Sequence, residues 1–131
     1  MADRAAEETE DAEVAADPEH ADDLVWDSID RLYTWLDSHQ ALTGRELLLT
    51  RMLKLSEEVG EVAQAVIGVT GQNPRKGTSH TWDDVRSELC DVVVTALVAL
   101  RTLTPDARET FTAHLADVTE RSLASTRTRT P

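Results

Sequence analysis

A single cysteine, Cys90, excludes an intramolecular disulfide. It falls in the middle of an apolar helical pattern, which predicts a buried and unreactive thiol. Aromatic residues are also scarce: three Trp, one Tyr and one Phe are the whole supply of rings for stacking on a ligand. No run of about 18 apolar residues occurs, and the N-terminus has no basic-then-apolar leader pattern. Those two absences predict a soluble, cytoplasmic protein without a membrane partner. Contiguous basic residues are missing apart from a short tail with Arg121, Arg127 and Arg129, so no nucleic-acid partner is expected.

The charge that is present is acidic and unevenly spread. Residues 1–23 hold ten Asp/Glu against Arg4, a balance of −9 out of the chain's −12. The stretch 1–21, rich in Ala, Glu and Asp and nearly devoid of branched apolar residues, predicts a disordered acidic tail. One helical domain is expected over 22–123, followed by a flexible C-terminal tail over 124–131.

Apolar residues at helical spacing predict a first helix over 22–39, through Leu24, Trp26, Ile29, Leu32, Tyr33 and Leu36. Thr43, followed three residues later by Glu46, reads as a capping box opening a second helix to about Val69. Its expected buried stripe is Leu48, Met52, Leu55, Val59, Val62 and Val66. Gly71, Asn73-Pro74, Gly77 and Ser79 make 68–80 a loop. Thr81 with Asp84 predicts a second capping box and a third helix from Trp82 to about Leu103. Val92 to Leu100 is apolar on nearly every face, which predicts burial at the centre of a bundle or of an oligomer. A fourth helix is expected from Thr104-Pro105 to about Leu123, with proline at its first position and Phe111, Leu115 and Val118 facing inward. Strand-period alternation is absent, and the class is all-α.

Inside the second and third of these helices lie two acidic runs, Glu57-Glu58-Val59-Gly60-Glu61 and Glu88-Leu89-Cys90-Asp91, with positions 62–87 between them. Residues three apart share a helix face, so Glu58 with Glu61 and Glu88 with Asp91 each form a carboxylate pair. Like charges at that spacing repel by roughly 0.2–0.5 kcal/mol per pair on an isolated helix, and a bridging cation reverses the sign. Oxygen ligands without thiolate or imidazole suit Mg2+, with Mn2+ as a substitute. Di-iron chemistry wants Glu-x-x-His on paired helices, and Asp91 stands where that histidine would be. An ordinary solvated acidic face, with Lys54 pairing to Glu57 or Glu58, would use the same residues.

The two motifs, within KLSEEVGEVAQA at 54–65 and ELCDVVVTAL at 88–97, resemble those of the all-α nucleoside triphosphate pyrophosphohydrolases, specifically the MazG-like proteins. The resemblance covers about residues 24–120. It implies a four-helix MazG-like bundle, here completed by homodimer or homotetramer association, acting on a nucleoside triphosphate to release pyrophosphate and a monophosphate. It further implies that Glu58, Glu61, Glu88 and Asp91 ligate Mg2+ and that Glu57 supports the site or orients water. Phosphoribosyl-ATP pyrophosphohydrolase belongs to the same superfamily and is the rival enzyme reading. A helical interaction or regulatory module that kept the fold without turnover is the rival of another class.

Around that core, Lys54 either reaches a phosphate or pairs with its acidic neighbours. Arg75 and Lys76, in a loop flanked by glycine, are candidates to close over a bound anion, and Asn73 is a candidate ligand contact or a turn residue. Trp35 and Trp82 are the rings with a claim to stack on a base, whereas Trp26 and Tyr33 follow the core stripe. His80, beside the start of the third helix, either contacts phosphate or is merely exposed.

Overall fold

In the computed structural model, which describes residues 18–127 and the side-chain surroundings of 20–124, four helices follow one another: α1 Pro18–Ser38, α2 Gly44–Val69, α3 Trp82–Leu103 and α4 Ala107–Arg127. No strand occurs among the described residues, and no helix among them is long and apolar enough to cross a membrane. The all-α class is therefore as expected. Most of the acidic tail and the last four residues lie outside the described residues. Both boundaries nonetheless move outward, because 18–21 and 124–127 are helical rather than tail.

The helix ends show which local signals the backbone obeys. At α3 the capping box forms in full: the Thr81 N–H donates to Asp84 Oδ2 at 2.7 Å and the Asp84 N–H donates to Thr81 Oγ1 at 3.2 Å. The Thr81 N–H first, and the Thr81 hydroxyl donating to Asp84 Oδ2 at 2.9 Å second, hold the Asp84 carboxyl below its ordinary range. At α2, Thr43 is the extended N-cap residue, but its side chain makes no cap bond. Gly44 follows at φ +57°, and this left-handed residue turns the Thr43 hydroxyl away from the first-turn N–H groups. Pro105 is not the first residue of α4, since Thr104 is extended, 105–106 form a turn and the helix opens at Ala107.

α2 and α3 pack as an antiparallel hairpin, with Arg51 beside Thr102 at one end and Gly68 beside His80 at the other. The loop returns tightly over Gly68, where an added Cβ would run into the His80 ring and Ser79 Oγ and force both side chains to move. α1 lies against the C-terminal half of α3. Its Asp30 accepts from Arg101 Nε at 2.6 Å, and Tyr33 is held between the Arg51 and Arg101 guanidinium groups, 5.2 and 4.6 Å from the ring centre. Trp26, Ile29, Val98 and Ala107 form the buried cluster where α1, α3 and the start of α4 meet. Arg108 joins that corner from outside, donating to Asp22 and Asp23.

Several packing expectations are overturned. The buried residues of α2 are Arg51, Glu58, Ala65 and Gly68, while Val59 and Val66 are exposed. The face turned to α3 thus runs through 51, 58 and 65, seven apart, and the expected stripe lies on its flank. Within Val92–Leu100 only Val98 and Ala99 are buried, and Val93 and Val94 are exposed, because α2 and α1 cover two sides of α3 and none of the described residues covers the third. Cys90 is exposed on that uncovered arc instead of buried. Phe111, Leu115 and Val118 are exposed too, since beyond the Trp26–Phe111 ring contact of 6.2 Å the rest of α4 runs past the end of the bundle. No large side chain among the described residues is fully buried.

Candidate metal centre

Antiparallel pairing of α2 and α3 brings the two acidic motifs opposite one another. Carboxylate oxygens of Glu58, Glu88 and Asp91 all lie within 4.8 Å of one another, with Glu58 buried, Glu88 half-buried and Asp91 exposed. Glu58 occupies an inward position because it shares the seven-residue stripe of Arg51 and Ala65, so burial of the carboxylate follows from the helix register. A buried carboxylate needs compensation. Lys54 provides part of it, with Nζ 3.0 Å from Glu58 Oε1 and 2.8 Å from Glu57 Oε2. Hydrogen bonds to Glu57 first and Glu58 second raise the Lys54 pKa well above its ordinary value.

One lysine does not balance five acids. Glu61 stands beside the trio, and its carboxyl is pushed above the usual range, first by the charge of Glu58, then by desolvation and by the charge of Glu88. Among the described residues neither Glu88 nor Asp91 forms an ion pair with a basic side chain. A site of converging, undercompensated carboxylate oxygens, with no sulfur or nitrogen donor, has the chemistry of a hard divalent cation. Glu58, Glu88 and Asp91 therefore have the chemistry to hold a hard divalent cation, with Glu61 adjacent.

Next to this cluster is a groove of about 480 Å3 between α1, α2 and α3, walled by Leu32, Trp35, Leu36, Val94 and Val98 and closed at its acidic end by Lys54. Its polar features are few, chiefly His39, Gln40 and Arg51. Arg51 is buried, donates to Thr102 Oγ1 at 2.7 Å and stands 3.4 Å from Asp37 Oδ1. Sequence reading did not single out Arg51, Asp37, Thr102 or the groove. The signal was available in part, because Arg51 lies seven residues before Glu58 on the same face.

The loop candidates do not join the trio. Asn73 and Lys76 line a separate pocket of about 310 Å3 with Gln64, Gly68, Ser79 and His80. Seven residues of helix separate Glu61 from Gly68, a rise of roughly 10 Å. The Asn73 carbonyl accepts from the Lys76 and Gly77 N–H groups, both at 3.0 Å, so its backbone serves the turn. Arg75 is exposed and lines neither pocket. Trp82 is exposed at the start of α3 and also lines neither. His80 is half-buried, 2.9 Å from Ser79 Oγ. Of the two candidate stacking rings, Trp35 is the one on the groove.

Comparison with protein-family models, curated proteins and solved structures gave no match to this chain.

Proposed function

We propose that the chain is a Mg2+-dependent nucleoside triphosphate pyrophosphohydrolase, acting in the cytoplasm on the nucleotide pool. The observation that carries this reading is the convergence of Glu58, Glu88 and Asp91 beside an apolar groove of base-sized dimensions. An acidic cluster alone would not favour a polyanionic substrate. An acidic cluster that needs a cation, with an apolar ring-binding wall next to it, does.

In this reading Glu58, Glu88 and Asp91 hold the cation and Glu61 completes the set, with Mn2+ able to replace Mg2+. The bound ion supplies charge neutralisation and electrophilic activation of the triphosphate. Trp35, Leu32 and Leu36 take the base, and His39, Gln40 and Arg51 contact its edge. Lys54, between groove and acids, exchanges a carboxylate partner for a phosphate oxygen once the acids are neutralised. Glu57, outside the trio and hydrogen-bonded to Lys54, orients the attacking water. Asn73, Lys76 and, by loop movement, Arg75 meet the far end of the phosphate chain. Trp82, away from the groove, has the weakest claim to touch substrate.

The test is pyrophosphate release from a panel of canonical and damaged nucleoside triphosphates, and from phosphoribosyl-ATP, with and without Mg2+. Turnover of one or more nucleoside triphosphates that disappears with chelation is expected. Activity on phosphoribosyl-ATP alone would replace the proposed substrate, and inactivity on every compound with Mg2+ bound would replace enzyme by interaction module.

A further inference from the structure

Among the described residues, Lys54 is the side chain that the groove and the acids share. It lines the groove at its acidic end, and its Nζ stands 2.8 Å from Glu57 Oε2 and 3.0 Å from Glu58 Oε1. None of Glu58, Glu88 and Asp91 lines the groove. The other cationic side chain of the groove, Arg51, is buried and held by Thr102 and Asp37, which leaves it no comparable freedom.

The two members of the Lys54–Glu58 pair differ in mobility. The Glu58 side chain is 10% exposed and set inward by the register of α2, whereas the Lys54 side chain is 49% exposed and ends a flexible four-carbon stem. A change of partner at this pair is therefore a movement of the lysine. Lys54 is also the basic side chain that compensates Glu58 among the described residues, and a buried carboxylate is costly without such a partner. Whatever draws the ammonium away must be matched by another positive charge.

We propose that Lys54 is the resident counter-ion of Glu58 and competes with a divalent cation for it, so that one side chain couples cation binding to anion binding; this rests on the cation-dependent reading above. Glu58 belongs to the trio whose oxygens converge within 4.8 Å, so a cation on the trio brings like charge up to the ammonium. Neutralised acids no longer hold the lysine, and repulsion turns it toward the groove. There it is an unpaired cation at the end of an apolar pocket, placed to meet a phosphate oxygen. The converse follows by linkage: an anion that draws Lys54 off Glu58 raises cation affinity by the same factor as the cation raises anion affinity. The protein without an anion holds its cation weakly because the lysine is in the way.

Calorimetric titration of the full chain with Mg2+ alone is the test. Lys54→Met is expected to bind Mg2+ at least about fivefold more tightly than the unmodified protein, the low end of coupling between sites. It is also expected to melt lower in metal-free buffer, because Glu58 has lost its partner. Lys54→Arg, which keeps the charge, should return the affinity toward that of the unmodified protein. Arg86→Met removes an exposed charge paired with Asp83 rather than with the trio, and should shift the affinity less than about twofold. Should Lys54→Met lose helical signal, Lys54→Gln carries the same expectation. Inorganic phosphate at tens of millimolar, with free Mg2+ fixed by a metal buffer, should tighten Mg2+ on the unmodified protein and leave Lys54→Met unchanged. Equal Mg2+ affinity of the unmodified protein and Lys54→Met, or phosphate acting on neither or on both alike, overturns this inference and leaves the cation site standing. Absence of saturable Mg2+ binding in every variant overturns the cation site and this inference with it.

Discussion

The two sides of the α2–α3 hairpin are built from the same two helices, yet they differ in almost every physical respect. One side carries Lys54, Glu57, Glu58, Glu61, Glu88 and Asp91 beside a groove walled by α1, and the other carries Val59, Val66, Leu89 and Val93, all exposed among the described residues. Charge is concentrated where the helices also bury it, at Glu58, whereas apolar surface is left where no chain covers it. The lesson is that burial here follows helix register more than side-chain type. Arg51 and Glu58 are inside because they share the seven-residue stripe of Ala65, and Val59, one residue on, is outside.

The largest expected effect lies on the charged side. Glu88→Gln keeps side-chain size and removes one ligand charge, so Mg2+-dependent hydrolysis should fall more than tenfold, above about 1.4 kcal/mol in barrier, with the circular dichroism spectrum unchanged. Turnover near that of the unmodified protein would take Glu88 out of the site. Leu89→Ala/Val93→Ala, on the other side, truncates only exposed side chains and should leave Mg2+ binding intact, which breaks the comparison if binding falls instead.

Arg51→Met is next. It removes the Thr102 and Asp37 bonds and one of the two cations on Tyr33, and should cost about 2 kcal/mol of stability by urea unfolding. A change within a few tenths would show that the buried guanidinium is replaceable by packing alone. Thr81→Ala removes the hydroxyl half of the only complete capping box among the described residues and should cost about 1 kcal/mol. The corresponding Thr43→Ala, whose side chain caps nothing, should cost much less, and equal losses would contradict the geometry at α2.

The smallest effect is a pH dependence. Glu61 has its carboxyl raised above the ordinary 4.5 in the folded chain by Glu58, desolvation and Glu88. The folded state therefore holds that proton more tightly than the unfolded state, so stability from this group is present at low pH and is lost as pH rises through the carboxylate range. In metal-free buffer Glu61→Gln should melt above the unmodified protein at neutral pH, and the gap should close on acidification below 4.5. A gap independent of pH would show that Glu61 does not feel its neighbours.

Helix positions and the site trio were legible in the sequence because they depend on local periodicity and on two motifs at fixed spacing. Thr81 with Asp84 announced α3 correctly, and the i, i+3 spacing put Glu88 and Asp91 on one face, but the antiparallel hairpin is what sets Glu58 opposite them, with Glu61 beside the trio and not in it. Thr43 with Glu46 has the same signature, but the left-handed Gly44 undoes it, and no propensity rule weighs a cap against the glycine that follows. Burial was less legible. Periodicity marks which residues are apolar, not which helix arrives to cover them, so Val59, Cys90, Phe111 and Leu115 were expected inside and are outside. Lys76 was expected to close over a bound anion from its glycine-flanked loop and Asn73 to touch the ligand or serve the turn, and the rise of α2 between Glu61 and Gly68 sets both in a separate pocket.

The central claim is that Glu58, Glu88 and Asp91 form one cation site, and the most direct measurement is the melting temperature of the unmodified protein and of Asp91→Asn as a function of Mg2+. Binding to the folded state alone stabilises it by mass action, by about 2.7 kcal/mol at a hundredfold excess over the dissociation constant. The account predicts a saturable rise of several degrees for the unmodified protein and a much smaller one for Asp91→Asn at the same Mg2+ concentrations. Equal responses of the two proteins would contradict it, because Asp91 would then not be a ligand and the two acidic motifs would not act together.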